Sequence, residues 1–440
     1  MTDGKDRISY RQLAVFFIPL AMSSSMMTLE PLIVSAFLAN GNAAELNLAA
    51  YTVMFSIALV IEAPVIMLVS AATALVRSRQ SFNQLMRFTL ALAGVVVAIG
   101  FVFALTPLFD LIVLRIMGIP PAAAEVARPA LVVMAIWSFP VAWRRFFQGV
   151  LIAHDRTPVV TMATICRLLS LSAALFIGSR VAPDRMLLVS AIAMQVAVFA
   201  EAAFVTPSGL KVLRSLPSGD SDRLSMKTLV RFYQPLATMM LIRQASRPLL
   251  SAGIAAALLP QRSLAAWPVA WSILLLPFGM TMGIEQLAIA KGTNNENKCK
   301  VRRFVWTVGL ILSVIVALIA FTPLAKPLII ALFDLDPELQ PMVILTLRIA
   351  MTLPLWQSSQ GLLRGNAIRD ERTTDVRTAV VVALLVTALV AVVGPKTAAV
   401  TGIIIGAVAT MLAAVAEVAW LAWRESATKQ YCRTMEMASK

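Results

Sequence analysis

The chain has 440 residues, of which 59% are hydrophobic and only 14% charged, with a mean hydropathy of +0.82. A water-soluble domain of this size has no interior large enough to hide so much apolar surface, so composition excludes an ordinary soluble fold and points to the bilayer. The net charge of +15 raises the question of a nucleic-acid partner, which the placement of the basic residues answers below.

Apolar blocks of 18 to 30 residues recur along the whole length, and a bilayer core takes about 20 helical residues to cross. Twelve spans are predicted, at 12–38, 47–76, 84–107, 124–152, 158–179, 186–206, 229–258, 264–290, 304–332, 340–365, 376–393 and 397–423. The runs are continuous and lack the short alternating segments of an outer-membrane barrel. The first ten residues, MTDGKDRISY, are polar. The apolar run after them is too long for a cleavable signal, so the first block is expected to be a retained span.

The basic residues sort by side. The amino terminus (Lys5, Arg7, Arg11), the links after every second span and the tail (Arg424, Lys429, Arg433, Lys440) hold most of the 38 Lys and Arg residues. The opposite links hold only Arg115, Arg180, Arg185, Arg262, Lys326 and Lys396. This positive-inside pattern places both termini in the cytoplasm and the chain in the cytoplasmic (inner) membrane. The basic excess reports orientation, and no nucleic-acid partner is expected.

Cys166, Cys299 and Cys432 lie far apart in sequence and give no disulfide framework. The single histidine, His154, precedes Asp155 in a short link and cannot build a zinc site with those cysteines, and no Gly-rich phosphate loop is present. No metal, no cofactor and no enzymatic activity are expected.

Laid over itself at an offset of 212 to 217, the chain repeats. FIPLA at 17–21 returns as the end of RFYQPLA at 231–237, and LTPL at 105–108 as FTPL at 321–324. FFQGVLIAHDRT at 146–157 returns as SSQGLLRGNAIRDERT at 358–373, both with Gln-Gly near the end of a span. Six spans per half is an even number, so the halves enter from the same side and form parallel repeats. The expected architecture is all-α, with a lobe at 1–206, a cytoplasmic linker at 207–227 and a second lobe with a short tail at 228–440. In transporters so built the substrate site lies between the halves near mid-membrane. Within the linker, Lys211 to Leu216 could form a short amphipathic helix on the membrane surface.

A charge at the centre of a span costs roughly 2.5 to 3.5 kcal/mol, so each should face protein or water. Arg167, Arg243, Arg247 and Arg348 are the cationic cases, and Glu30, Glu62 and Glu285 the anionic ones. Glu201 and Glu417 lie near span ends, within snorkelling reach. Arg243 and Arg247 are four residues apart and share a helix face, and Pro248 should disturb that helix one turn back, beside a site. The repeat sets Glu30 against Arg247, EPL against RPL. The two should approach across a central cavity, with Arg348 at similar depth.

One reading makes these structural pairs, Glu30 with Arg247, Glu62 with Arg348 or Arg167. The other takes the surplus of guanidinium forks as a site for carboxylate or phosphate oxygens. On it Arg247 and Arg348 bind an anion, Arg243 assists and Glu30 competes for Arg247. Glu62, Glu30 and Glu285 are the candidates for coupling a proton or sodium ion.

The ordered set SRP at 246–248, PFG at 277–279 followed by Glu285, LRI at 347–349, Glu30 in the first span and the Gln-Gly repeats resembles the progressive ankylosis family. That family is grouped with the MATE-like multidrug, oligosaccharidyl-lipid and polysaccharide exporters. The resemblance implies twelve helices in two lobes, a monomer, alternating access and export of polyanions of the citrate, nucleotide triphosphate or pyrophosphate class. Arg167 stands where the family has an acidic residue, which bears on the substrate more than on the fold. The rivals are a proton- or sodium-coupled exporter of organic cations, a lipid-linked flippase and a non-transporting membrane scaffold.

Overall fold

The computed structural model describes residues 8–26, 28–154, 156–217, 226–291, 295–370, 372–397 and 399–438. Lys5, Arg7, Asp155, Lys440 and the 218–225 part of the linker lie outside them, as does the side chain of Cys432. The described residues contain helices and no strand.

The first half runs α1 (Tyr10–Met26), α2 (Leu29–Ala39), α3 (Ala44–Ile66), α4 (Leu68–Leu75), α5 (Arg79–Leu105), a π-helical turn (Asp110–Ile116), α6 (Pro121–Ala135), α7 (Ser138–Ala153), α8 (Thr157–Val181) and α9 (Met186–Ser215). The second runs α10 (Met226–Ala255), α11 (Pro260–Thr281), α12 (Gly283–Lys291), α13 (Asn295–Phe321), α14 (Ala325–Phe333), α15 (Gln340–Ile349), α16 (Leu353–Arg369), α17 (Thr373–Thr397) and α18 (Gly402–Ala438). From α3 onward the halves match element by element. The α3–α4 break has its counterpart between α11 and α12, and the α6–α7 break between α15 and α16.

Among the described residues eight helices are long and apolar enough to cross a membrane, or nine when α6 and α7, bent by 44° at their junction, count as one. The other three of the twelve predicted spans are the α1–α2 pair, α10 and the α15–α16 pair. Breaks shorten two of them, and arginines make α10 more polar.

Two expectations are corrected here. The chain does not break near Pro248, because α10 continues through both Pro235 and Pro248 to Ala255. At the repeat-equivalent point Thr28 is in a turn and α2 begins at Leu29, so Glu30 sits in the first turn of that helix. There a carboxylate meets the positive end of the helix dipole. The Lys211–Leu216 stretch is no separate surface helix, since α9 runs straight on to Ser215. Arg79 holds that end by donating Nε to the Leu216 carbonyl at 3.0 Å and Nη2 to the Arg214 carbonyl at 2.6 Å, filling acceptors that a helix end leaves open.

The chain packs as two compact units, and these are drawn differently from the sequence halves. Unit 1 holds residues 1–32 with 269–440, and unit 2 holds 33–268. The first helix of each half thus packs with the helices of the other half. In unit 1, Leu13, Phe17 and Ala21, one stripe of α1 at helical spacing, are buried against Ile284, Leu287 and Ala288 of α12, Val301 and Val305 of α13 and Leu362 of α16. Phe17 meets Phe304 edge-on with ring centroids 5.6 Å apart. In unit 2, α10 packs along α3. Tyr233 of α10 donates its hydroxyl to the carbonyl of Pro64, at the end of α3 where carbonyls lack helical partners. The same ring lies edge-on to Phe88 of α5, centroids 5.1 Å apart.

Candidate functional site

The polar interior of unit 2 is built on α7, α8 and α9. Glu201 of α9 is wholly buried and Arg144 of α7 is 3% exposed. Arg144 Nη1 donates to Glu201 Oε2 at 2.6 Å, and Arg167 Nη1 of α8 lies 3.5 Å from the same oxygen. Gln148, one turn after Arg144, donates Nε2 to Glu201 Oε1 at 2.9 Å. Both carboxylate oxygens are therefore engaged. Hydrogen bonds to a charged group contribute about 1.5–3 kcal/mol each, which offsets part of the desolvation of a carboxylate held in an apolar bundle.

Arg145, the next residue of α7, is half-buried and lies within electrostatic reach of Glu62, Glu201, Arg144 and Arg167. Glu62 of α3 is buried and also acts on Arg247 of α10, as does Tyr51. Among the described residues, Arg144, Arg145, Arg167 and Arg247 of unit 2 thus lie within electrostatic reach of Glu62 or Glu201.

Unit 1 repeats the Glu201 arrangement with a balanced charge. Glu417 of α18 is 3% exposed and accepts Gln360 Nε2 of α16 at 3.0 Å on Oε2. Arg364, one turn after Gln360, gives both Nε and Nη2 to Oε1, the Nε bond at 2.5 Å. Gln148 and Gln360 are the glutamines of the repeated Gln-Gly pair. The glycines serve a second purpose. A Cβ on Gly149 would stand 2.6 Å from the Cβ of Ala72 on α4, and one on Gly361 would stand 3.2 Å from the Cβ of Ile284 on α12; one turn on, a Cβ on Gly365 would stand 2.6 Å from the Cβ of Ala288. Only a residue without a side chain lets these helix pairs cross so closely.

The residues singled out from sequence fall into different places. Arg247 is half-buried, and its Nε donates to Gln244 Oε1 at the long distance of 3.4 Å. Arg243 is exposed, and its carbonyl accepts from Ser246 Oγ at 2.9 Å. Arg348 is exposed as well: it donates Nε to the Ala320 carbonyl at 3.0 Å and lies 5.2 Å above the Phe321 ring, closing the end of α13. Glu30 is buried, in the first turn of α2. Glu285 is half-buried in the first turn of α12. Arg167 meets Glu201. His154 ends α7, with Nδ1 2.9 Å from the Val150 carbonyl. Among the described residues no three His, Cys, Asp or Glu side chains gather as a metal site.

Sequence reading gave little weight to Glu201 and Glu417, because both lie near the ends of spans where snorkelling is cheap. The signal that marks them is the Gln-Gly repeat taken with an arginine one turn from each glutamine, before it in the first half and after it in the second.

The fold is similar to that of solved MATE-type transporters. An inward-facing multidrug resistance MATE family transporter of the MOP superfamily superposes with a TM-score of 0.71 at 16% identity, over 95% of this chain and 99% of that one. A MOP superfamily transporter from Pyrococcus furiosus, described by a reversed polarity of its binding pocket, gives 0.63 at 18% identity, over 95% and 96%. The lipid II flippase MurJ in an inward closed conformation gives 0.70 at 12% identity, over 93% and 87%. At such identities the likeness concerns the fold. No family model and no curated protein matches the sequence.

Proposed function

We propose that the chain is a secondary transporter of the inner membrane that carries an anion by alternating access. The observation that carries the substrate class is the interior of unit 2, where Arg144, Arg145, Arg167 and Arg247 outnumber Glu62 and Glu201. Surplus positive charge in an apolar bundle is costly unless an anion visits it, and guanidinium forks suit carboxylate and phosphate oxygens. Solutes of the citrate, nucleotide triphosphate or pyrophosphate class fit that chemistry, in line with the resemblance to the progressive ankylosis branch.

The fold supports the mechanism, since MATE transporters of this architecture are seen in inward- and outward-facing conformations. On this reading alternating access exposes a site that Arg247 lines, with 207–227 joining the sequence halves 1–206 and 228–440. The termini are cytoplasmic, a monomer suffices, and export runs on gradients with a proton or sodium ion at Glu62, Glu30 or Glu285. Transport involves no covalent chemistry.

A second reading keeps the organic-cation cargo of the multidrug neighbours and uses the buried carboxylates Glu30 and Glu62 as ion sites; the excess of arginine weighs against it. Proteoliposome flux with pyrophosphate, citrate and an organic cation decides between them. Anion flux that Arg247→Ala abolishes is the expected result. Organic-cation flux with no anion flux would replace the first reading by the second.

A further inference from the structure

Arg144 and Arg145 are consecutive residues of α7, so their side chains leave the helix about 100° apart. Both nonetheless turn toward the polar interior of unit 2, one onto Glu201 and the other into reach of Glu62, Glu201 and Arg167. Glu201 has no oxygen to spare, because Arg144, Arg167 and Gln148 already occupy both. The Nε atoms of Arg144 and Arg145 are buried and have no hydrogen-bond partner among the described residues.

The mirrored group in unit 1 shows what a purely structural version looks like. One arginine, Arg364, delivers two nitrogens to Glu417, and one glutamine fills the other oxygen. Charge is balanced there. On the same scaffold the first half carries Arg145 and Arg167 in addition; Arg167 joins α8 to Glu201 of α9, and Arg145 adds a charge that the mirrored group lacks. Buried donors left over in a group with surplus positive charge define a receptor for acceptor oxygens.

We propose that Arg144, Arg145 and Arg167 form a second anion-binding site, enclosed by α7, α8 and α9, that takes a phosphate- or carboxylate-bearing solute in series with Arg247. Glu62 lies within electrostatic reach of both Arg145 and Arg247. The assignment rests on the anion-carrier reading and adds a station to it.

The test is titration of inorganic pyrophosphate into the full-length protein in nanodiscs, followed by calorimetry, for the parent, Arg247→Ala, Arg145→Gln, Arg145→Lys and the Arg247→Ala/Arg145→Gln pair. Arg247→Ala should retain a residual site, which Arg145→Gln in the same chain weakens by about tenfold or more. Arg145→Lys should fall between, since it keeps the charge and loses the fork. Should Arg145→Gln fail to fold, Arg145→Lys decides, and an unchanged Kd overturns the second site. Complete loss of binding in Arg247→Ala also overturns it while leaving the carrier reading intact. A parent protein that binds no pyrophosphate at all would bring down both.

Discussion

Arg128 and Arg348 perform the same task at equivalent places in the two halves. Each donates Nε to an alanine carbonyl at 3.0 Å, Ala104 at the end of α5 and Ala320 at the end of α13, and each lies 5.2 Å above a phenylalanine ring, Phe109 and Phe321. The alanines are 216 positions apart and the arginines 220. The contact has thus been kept while the residue that makes it has shifted by one helical turn.

This geometry makes Arg348 a helix-end cap. Arg348→Ala should lower stability by about 1 kcal/mol, the scale of an exposed cation–π contact with one hydrogen bond, and Arg128→Ala should cost more, because Arg128 also meets Asp110 at 3.3 Å and donates Nη2 to the Thr106 carbonyl at 3.2 Å. Thermal unfolding in detergent measures both. Anion flux through Arg348→Ala should follow the amount of folded protein, and loss of flux in fully folded protein would instead show Arg348 binding the anion, as the sequence suggests.

Glu201 is the counter-ion on which the interior of unit 2 depends. Glu201→Gln leaves Arg144 and Arg167 buried without their shared carboxylate, and breaking a buried pair in this way costs roughly 3–5 kcal/mol. The double variant Glu201→Gln/Arg144→Met should recover part of the loss, because it withdraws one stranded charge together with its partner. A midpoint of unfolding for Glu201→Gln equal to the parent's would contradict the arrangement.

Glu417 should be less sensitive than Glu201. Its neutralisation strands one arginine, Arg364, whose side chain is 16% exposed and can turn toward water. We expect Glu417→Gln to cost about half as much as Glu201→Gln on that argument, and the two melting curves recorded side by side give the ratio.

The close crossings make Gly149 and Gly365 intolerant of growth. Gly149→Ala and Gly365→Ala should each destabilise by about 1–3 kcal/mol, the usual cost of overpacking. Gly94, whose added Cβ would meet nothing within 4 Å, should accept alanine freely. Equal melting temperatures for all three would show that α4 and α7, and α12 and α16, have room to separate.

Much of the fold was legible in the sequence, because apolar run length and the alternating placement of Lys and Arg are imposed by the bilayer itself. The internal repeat was legible through Gln-Gly and the Thr-Pro-Leu echoes. Helix continuity was harder to read. Proline marks a weak point in a helix, yet α10 passes through Pro248 unbroken, while in its counterpart the turn at Thr28 comes before Pro31. Neighbouring helices decide whether a freed carbonyl is satisfied in place, and composition does not record neighbours. The site was legible only in part. Arg247 was marked by its depth in an apolar run, but Arg144, Arg145 and Glu201 stand close to span ends, where sequence gives no sign of whether a charge turns outward to water or inward to a partner.

The exchange of leading helices, with α1 packed among the second-half helices and α10 along α3, resembles what is seen when two identical protomers trade an arm. A gene doubled and fused from such a pair would inherit the trade within one polypeptide. Neither half could then complete its own interior in isolation, and fragments cut within 218–225 should become soluble in mild detergent only when both are made in the same cell.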